Sequence, residues 1–371
     1  MKVIQILPEL NAGGVERGTL EIARHLVSHG HESLVVSNGG RLVVQLEREG
    51  SRHITMPVHR KALASLAQIP RLRALFLREK PDVIHLRSRL PAWLAYLAWK
   101  SIPTAQRPRL VTTVHGFYSV NAYSAVMTRG EAVIAVSESV RKYILDHYPG
   151  TDASKIIVIH RGVDPASYPP GFAPSAEWLA AWEKTNPALE GRVPLLMPGR
   201  LTRWKGQEDF IRLVARLIQQ GRPVHGLIAG EPHPKKIAFR DELKTLAESL
   251  GVADHISFLG HRSDLREVMA VSALVFSLST DPEAFGRVSL EAMALGKPVV
   301  AYDHGGVAEQ LKVIFPQGLV PVGDLDAAIL ASTRILDRTD STRGVGPFTL
   351  EHMLESSLDV YQSLIESQHA V

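Results

Sequence analysis

The sequence predicts an α/β protein of two doubly wound domains, and three observations carry that expectation. Its 371 residues exceed the ~100–150 that one domain usually holds. Short β-branched runs alternate with helical patterns in two separate series, as parallel sheets covered by helices require. Between the series, over residues 164–192, Pro165, Pro169, Pro170, Pro174 and Pro187 join Gly171 and Gly191 in breaking the pattern around one short helical piece near 177–184, as a linker does. The expected division is a first domain over 1–170 with a returning segment over 348–371, a linker over 171–192, and a second domain over 193–347.

The first series opens with a strand over 3–7, a helix over 15–28 and a strand over 33–37. It continues with a helix over 63–79, a strand over 83–86, a helix over 91–100 and a strand over 110–114. Strands over 132–136 and 156–159 on either side of a helix over 139–147 complete it. The second series runs strand 194–197, helix 207–219, strand 224–229, helix 236–250 and strand 256–258. Helix 264–270, strand 274–277, helix 288–295, strand 298–302 and helix 307–312 close it. In the last stretch, 348–366, Leu350, Met353, Leu354, Leu358, Val360, Tyr361 and Leu364 recur at helical spacing. That helix follows a finished second domain, so it is expected to pack back on the first. Open sheets of this kind bind ligands outside the carboxyl ends of their strands, which makes the cleft between two such sheets the expected site.

Composition narrows the class further. Apolar residues make up 45% of the chain and charged residues 22%, the balance of an ordinary globular protein. No stretch of ~18 consecutive apolar residues offers a membrane span, and the apolar run at residues 3–7 is too short for a signal peptide. The absence of cysteine excludes disulfides, thiolate nucleophiles and thiolate-bound metal, and fits a cytoplasmic setting. The charge is uneven: residues 1–170 carry 22 Lys/Arg against 13 Asp/Glu, and the remainder 20 against 25. Eleven of the basic residues fall between Thr55 and Leu110, where only Glu79 and Asp82 are acidic. Such a surface points to an anionic partner such as lipid headgroups or a phosphorylated saccharide, weighed against a merely solvated face. With no aromatic-interleaved recognition motif, no nucleic-acid partner is expected.

Three constellations can carry chemistry. Gly13-Gly14-Val15-Glu16-Arg17 lies between a strand and a helix; its glycines permit close backbone approach and the helix start offers N–H groups to an anion. It is not the spaced glycine fingerprint of a dinucleotide site, which argues against a nicotinamide-dependent oxidoreductase. The turn from Gly199 to Gly206 carries Arg200 and Lys205, a guanidinium fork and a point charge suited to phosphate oxygens. The third runs Glu283-Ala284-Phe285-Gly286-Arg287-Val288-Ser289-Leu290-Glu291. There two carboxylates bracket a turn and a helix start, with Glu291 placed to reach a ribose diol and the Phe285 and Gly286 N–H groups beside Glu283.

This third pattern, continued by Ala-Met-Ala-Leu-Gly-Lys-Pro-Val-Val to Val300, closely resembles the retaining nucleotide-sugar glycosyltransferases of family 4, which have the two-domain GT-B fold. The resemblance runs nearly the whole chain. It takes in Gly13-Gly14 with Arg17, Val114-His115-Gly116, Ser137 with Arg141, the stretch Arg161–Asp164, Gly199-Arg200 through Lys205-Gly206, and Gly305-Gly306-Val307-Ala308-Glu309. It implies that Arg200 and Lys205 hold the donor diphosphate, Glu291 the ribose, and Glu283 with Phe285 and Gly286 the donor sugar. Ala284, Val288 and Gly14 join that donor set. It also implies that His115, with Glu283, Arg200 and Lys205, serves catalysis, and that Gly13, Gly14, Arg17, His115, Gly116 and Tyr118 line the acceptor side. The donor favoured is a UDP-sugar, with no cofactor and no catalytic metal; Asp324-Leu-Asp326 reads as a loop and helix cap rather than a metal site.

The segments Ser88–Trp93 and His115–Gly130 look most similar to envelope glycosyltransferases, including those of the lipopolysaccharide core. A saccharide or phosphorylated glycolipid acceptor would suit the basic first domain. The aromatic, basic stretch Arg87–Lys100 further suggests peripheral contact with the inner face of an anionic cytoplasmic membrane. The alternatives are a nucleotide-sugar epimerase of the same fold and a non-enzymatic anion-binding protein. Trp204 and Arg287 stand where the family varies and leave the donor sugar open.

Overall fold

The computed structural model describes residues 1–11, 13–232, 237–338, 341–342 and 344–369. The chain divides into two compact units, Met1–His160 together with the chain from Glu351 onward, and Arg161–Leu350.

The first unit holds strands β1 (Lys2–Ile6), β2 (Glu32–Ser37), β3 (Arg52–Thr55), β4 (Val83–Leu86), β5 (Arg109–Val114), β6 (Ala132–Ala135) and β7 (Ile156–Val158). All pair in parallel in the order β3-β2-β1-β4-β5-β6-β7. Helices α1 (Gly14–Ser28), α2 (Val43–Arg48), α3 (Gln68–Glu79), α4 (Arg89–Lys100) and α5 (Glu138–His147) connect them. Crossover helices cover both faces of such a sheet, so every residue of β4 and β6 is buried, and polar side chains such as Gln5 of β1 and His85 of β4 are buried with the apolar ones. The Ser137 hydroxyl accepts the Val140 N–H at 3.1 Å and so starts α5. From β1 the chain winds outward to β3, then returns to β4 and winds the other way. The loops leaving β1 and β4 therefore part at a topological switch point.

Two expectations for this unit change. Residues 63–79 are not one helix: Leu63–Ala67 is a 3-10 turn and α3 begins at Gln68. Pro70 fits only the first turn of an α-helix, where its missing N–H costs nothing, and Leu63 and Leu66 are 87% and 52% exposed rather than core. The short elements α2 and β3, absent from the sequence reading, contribute one fully buried residue, Leu46, and no fully buried strand position.

The second unit builds a parallel sheet from β8 (Val193–Pro198), β9 (Val224–Ala229), β10 (Ile256–Gly260), β11 (Leu274–Ser277), β12 (Val299–Tyr302) and β13 (Leu319–Val320), in the order β10-β9-β8-β11-β12-β13. Its helices are α6 (Ala176–Thr185), α7 (Gln207–Gln219), α8 (Ala238–Ser249), α9 (Leu265–Val271), α10 (Arg287–Ala294), α11 (Gly305–Ile314) and α12 (Leu325–Arg338). The switch point here falls between β8 and β11. The α8 segment was expected to start at Lys236, which lies outside the described residues. The sequence reading stopped short of α12; Asp324 caps it, accepting the Ala327 N–H at 2.9 Å, the role expected of Asp324-Leu-Asp326.

Residues 171–192 are part of this unit rather than a linker. Ser175 caps α6 through the Trp178 N–H at 3.2 Å, and Trp178 and Trp182 stack at 5.1 Å. The Trp178 indole then donates to Asp264 Oδ2 at 2.8 Å. Prolines break the pattern on both sides of α6, but the two tryptophans anchor it. The last helix, α13 (Leu350–His369), rejoins the first unit as expected. Tyr361 is fully buried, its hydroxyl 2.6 Å from His85 Nδ1, and His85 Nε2 lies 2.6 Å from Thr113 Oγ1.

In the second unit, a buried histidine links the core to pH. His225 of β9 is 1% exposed, 2.8 Å from Ser257 Oγ and 3.3 Å from Arg192 Nη1. Burial first, then the charges of Arg192 and His255, push its pKa from 6.5 down to about 4. The folded chain thus resists a proton that the unfolded chain takes up, so stability is intact above pH 6.5 and falls as the pH drops toward 4. At pH ~4.5 the loss amounts to about 2–3 kcal/mol. Urea denaturation of wild type and His225→Gln at pH ~7 and ~4.5 checks this; the variant should lose less on acidification.

Candidate active site

In the second unit, the loops leaving β8 and β11 meet at the switch point. The Thr280 N–H donates to the Trp204 carbonyl at 2.7 Å. Gly206 sits in the left-handed region, φ 79°, and a Cβ there would stand 1.9 Å from the Leu278 carbonyl oxygen; only glycine lets the loops approach so closely. The β12–α11 turn closes from the other side, with the Gly306 N–H donating to the Glu283 carbonyl at 2.8 Å. The Gln310 amide donates to the Phe285 carbonyl. The turn that carries Glu283 is therefore braced by backbone and side-chain bonds from its neighbours.

Lys205 Nζ lies 2.7 Å from Glu283 Oε1, with the two side chains 18% and 17% exposed. The same oxygen accepts the Ser279 hydroxyl at 2.6 Å and the Ser277 hydroxyl at 3.4 Å. Burial, the largest influence, pushes the Glu283 pKa up. The Lys205 charge and the hydrogen bonds from Lys205, Ser279 and Ser277 together outweigh it, and the net shift is downward from 4.5. At neutral pH the group is thus a fixed carboxylate, a hydrogen-bond acceptor rather than a proton donor. The Lys205 ammonium also sits over the Trp204 ring, 4.6 Å from its centroid.

Beside this pair, at the carboxyl ends of β8 and β9, lies a cavity of about 530 Å³ whose walls include Arg200, Gly230, Glu231, His261, Arg262 and Val288. That volume is of the size small-molecule sites have. Of the donor residues expected from sequence, Arg200 and Val288 line it, while Lys205, Glu283 and Glu291 are not among its wall residues. Arg200 is exposed, whereas Glu291 is buried on α10 with Arg287 Nε 3.9 Å away. Ala284 is half-buried and Phe285 is buried edge-on to Phe348. Gly286 caps α10. The β8 and β11 loops thus pair Lys205 with Glu283 at the switch point, with Arg200 on the same β8 loop, while Glu291 lies buried on α10.

The remaining predicted residues belong to the first unit. Gly13 caps α1, Gly14 is its first residue, and Arg17 follows in its second turn, all exposed. His115, Gly116 and Tyr118 follow β5; the His115 N–H donates to the Tyr118 hydroxyl at 3.1 Å. Arg87, read from sequence as part of a basic run, is 1% exposed. Its Nη1 donates to Gln5 Oε1 at 3.0 Å, its Nε and Nη2 have no hydrogen-bond partner among the described residues, and burial lowers its pKa to about 10. Nor is α4 a free amphipathic helix: the Trp93 and Trp99 indoles donate to the Tyr123 and Pro108 carbonyls at 2.8 and 2.7 Å. The sequence reading missed Ser277 and Ser279; two serines among many carry no mark of their own until the strand end places them against Glu283.

Comparison with known proteins follows the same division. The model for Glycosyltransferase Family 4 matches residues 12–167 and that for Glycosyl transferases group 1 matches residues 181–344. The chain is 28% identical over 249 residues to a D-inositol 3-phosphate glycosyltransferase of Rhodococcus erythropolis, 64% of this chain but only 54% of that protein. It is 30% identical over 229 residues to the lipopolysaccharide core biosynthesis mannosyltransferase LpcC of Rhizobium leguminosarum bv. viciae, covering 62% and 57% of the two chains. The chain therefore spans about half the length of these two relatives. Among solved structures, a glycosyltransferase from Rickettsia africae superposes with a TM-score of 0.83 at 28% identity, over 98% of both chains. Anabaena HepE, solved in complex with UDP and glucose, shares the fold at a TM-score of 0.75 and 23% identity over the whole of both chains.

Proposed function

Because the chain belongs to the glycosyltransferases of family 4, we propose that it transfers a sugar from a nucleotide-diphosphate sugar, a UDP-sugar favoured, to a saccharide or lipid-linked saccharide. The observation that carries this reading is the Lys205–Glu283 pair at the β8/β11 switch point, 2.7 Å apart, beside the cavity lined by Arg200. Bond cleavage leaves positive character on the anomeric carbon and negative charge on the diphosphate. Lys205 and Arg200 are the cations that take up the second charge, which is electrostatic catalysis aimed at the group that departs. The two cations supply there the charge that a divalent metal supplies elsewhere, and on this reading the reaction runs without one. Glu283, kept ionised, accepts hydrogen bonds from donor sugar hydroxyls, and Glu291 takes the ribose. The acceptor hydroxyl attacks from the face the diphosphate leaves and gives its proton to a leaving-group oxygen, so configuration is retained. His115 and Tyr118 serve the acceptor side.

Envelope glycan synthesis, with the lipopolysaccharide core as the first case, is the setting we favour. The likeness to LpcC and the basic first unit support it. The work then falls on the cytoplasmic side, where any membrane contact rests on surface charge, because the α4 tryptophans are tied to their own chain.

A thermal-shift series with UDP, UDP-glucose, UDP-galactose, GDP-mannose and ADP-glucose tests the donor half. A nucleotide diphosphate at ~100 times its Kd stabilises by about 2.7 kcal/mol, a rise of ~2–4 °C. No shift with any of them would sink the proposal.

A further inference from the structure

Between Asp82 and Glu131 the sequence holds no acidic residue, yet it carries Arg87, Arg89, Lys100, Arg107, Arg109 and Arg129. Two of these, Arg87 and Arg89, follow β4, and Arg89 meets Lys61 over the Tyr123 ring beyond β5. Arg89 stacks on Tyr118, its guanidinium carbon 4.7 Å from the ring centroid, and on Tyr123 at 5.6 Å. Its Nη1 donates to Ser124 Oγ at 3.2 Å. Lys61 places its ammonium 5.9 Å from the same Tyr123 ring. Two like charges thus share one aromatic ring, and neither has a carboxylate within 4.0 Å among the described residues. Arg87, two residues before Arg89, is buried, its Nε and Nη2 without a hydrogen-bond partner among the described residues, and Tyr118 lies within its electrostatic reach.

Glu21 and Glu16 lie within electrostatic reach of Arg87, but Arg89 and Lys61 share a ring with no such partner among the described residues, which costs folding energy. Each unpaired buried donor of Arg87 also asks for a reason. The place supplies one. Tyr118 ties Arg89 to His115, whose N–H it accepts, so the cluster adjoins the residues assigned to the acceptor side. Aromatic faces fix the Arg89 guanidinium while leaving edge N–H groups beyond the Ser124 bond for the oxygens of an anion.

We infer that this edge of the first unit recognises the acceptor through a negatively charged group, a phosphate or carboxylate borne on a saccharide, gripped by Arg89 and Lys61. The inference rests on the transfer reading above and names the class of acceptor for it. Arg87 deepens the positive field from beneath without touching the ligand.

The test is calorimetric titration of the full chain, saturated with UDP so that the second unit's phosphate grip is occupied. The probes are glucose 6-phosphate, glucuronate and glucose. The charged sugars should bind about tenfold or more tightly than glucose, with an affinity that falls as salt rises. Arg89→Gln and Lys61→Gln should each erase most of that preference while UDP affinity stays unchanged. Arg78→Gln, at an exposed arginine elsewhere on this unit, should preserve the preference. Lys61 is exposed, so its variant reports even where Arg89→Gln fails to fold. Equal affinity for glucose and glucose 6-phosphate, or a preference untouched in Lys61→Gln, would overturn the inference. So would binding to phosphatidylglycerol vesicles without binding to the charged sugars, which would make the cluster a lipid contact. Loss of UDP binding in the wild-type chain would instead strike the donor reading itself.

Discussion

Lys205→Ala is expected to slow transfer by ~10²–10³-fold, the usual cost of deleting one charge that meets a developing anion. It should also destabilise the fold by about 2 kcal/mol. The second effect follows from what the lysine leaves behind. Glu283 is 17% exposed and keeps only the Ser277 and Ser279 hydroxyls once its 2.7 Å partner is gone. An ionised carboxylate so placed is strongly penalised, although residual solvent tempers the 3–5 kcal/mol seen for fully buried pairs. Its pKa then rises, because burial is the largest influence on it and the opposing charge has been removed. The double variant Lys205→Ala/Glu283→Ala should recover most of the lost stability and none of the activity. Urea denaturation and the rate of nucleotide diphosphate release separate the two. If the single and double variants prove equally stable, the pair is not energetically coupled. The wild-type pair also fixes a direction with pH: its contribution is whole above about 4.5 and is lost as the pH falls below that value.

Gly206→Ala should be among the most damaging small substitutions in the second unit. Gly206 and Gly221 have nearly the same backbone, φ 79° and 78°, yet a Cβ on Gly206 meets the Leu278 carbonyl at 1.9 Å and a Cβ on Gly221 meets nothing within 4 Å. Gly221→Ala therefore measures the left-handed strain alone, about 1–2 kcal/mol. Gly206→Ala adds a contact that cannot exist, and relief requires the β8 and β11 loops to part. The expected loss is about 3–4 kcal/mol, together with a weaker grip on UDP, since Lys205 and Glu283 sit on the two loops that separate. Equal losses in the two variants would show that the close approach carries no weight.

Most of the sheet architecture was legible because parallel strands covered on both faces are mostly apolar, and runs such as Ala132–Ala135 and Val299–Tyr302 show it directly. The order of the glutamate turn was legible too, since Glu283 and Glu291 are separated by glycine and helix-start chemistry that constrains every position between them. What stayed hidden depends on contacts distant in the chain. The short helix inside the proline-broken stretch was legible, but its anchor was not: Trp178 bonds Asp264, 86 positions further on. Ser279 matters only because the end of β11 sets it 2.6 Å from Glu283. Arg87 and Arg89 look alike in sequence; the first is sealed inside by the strand it ends, and the second is displayed between tyrosines by the helix it begins.

The return of α13 to the first unit also bears on how the protein is made. With His85 bonded to Tyr361 across 276 positions of chain, the first half emerges from the ribosome lacking one wall of its own interior. The second half has all its strands before that wall is synthesised, so it is free to consolidate earlier although it is translated later. A premature stop at Glu351 would accordingly spare the later-made unit and cripple the earlier one.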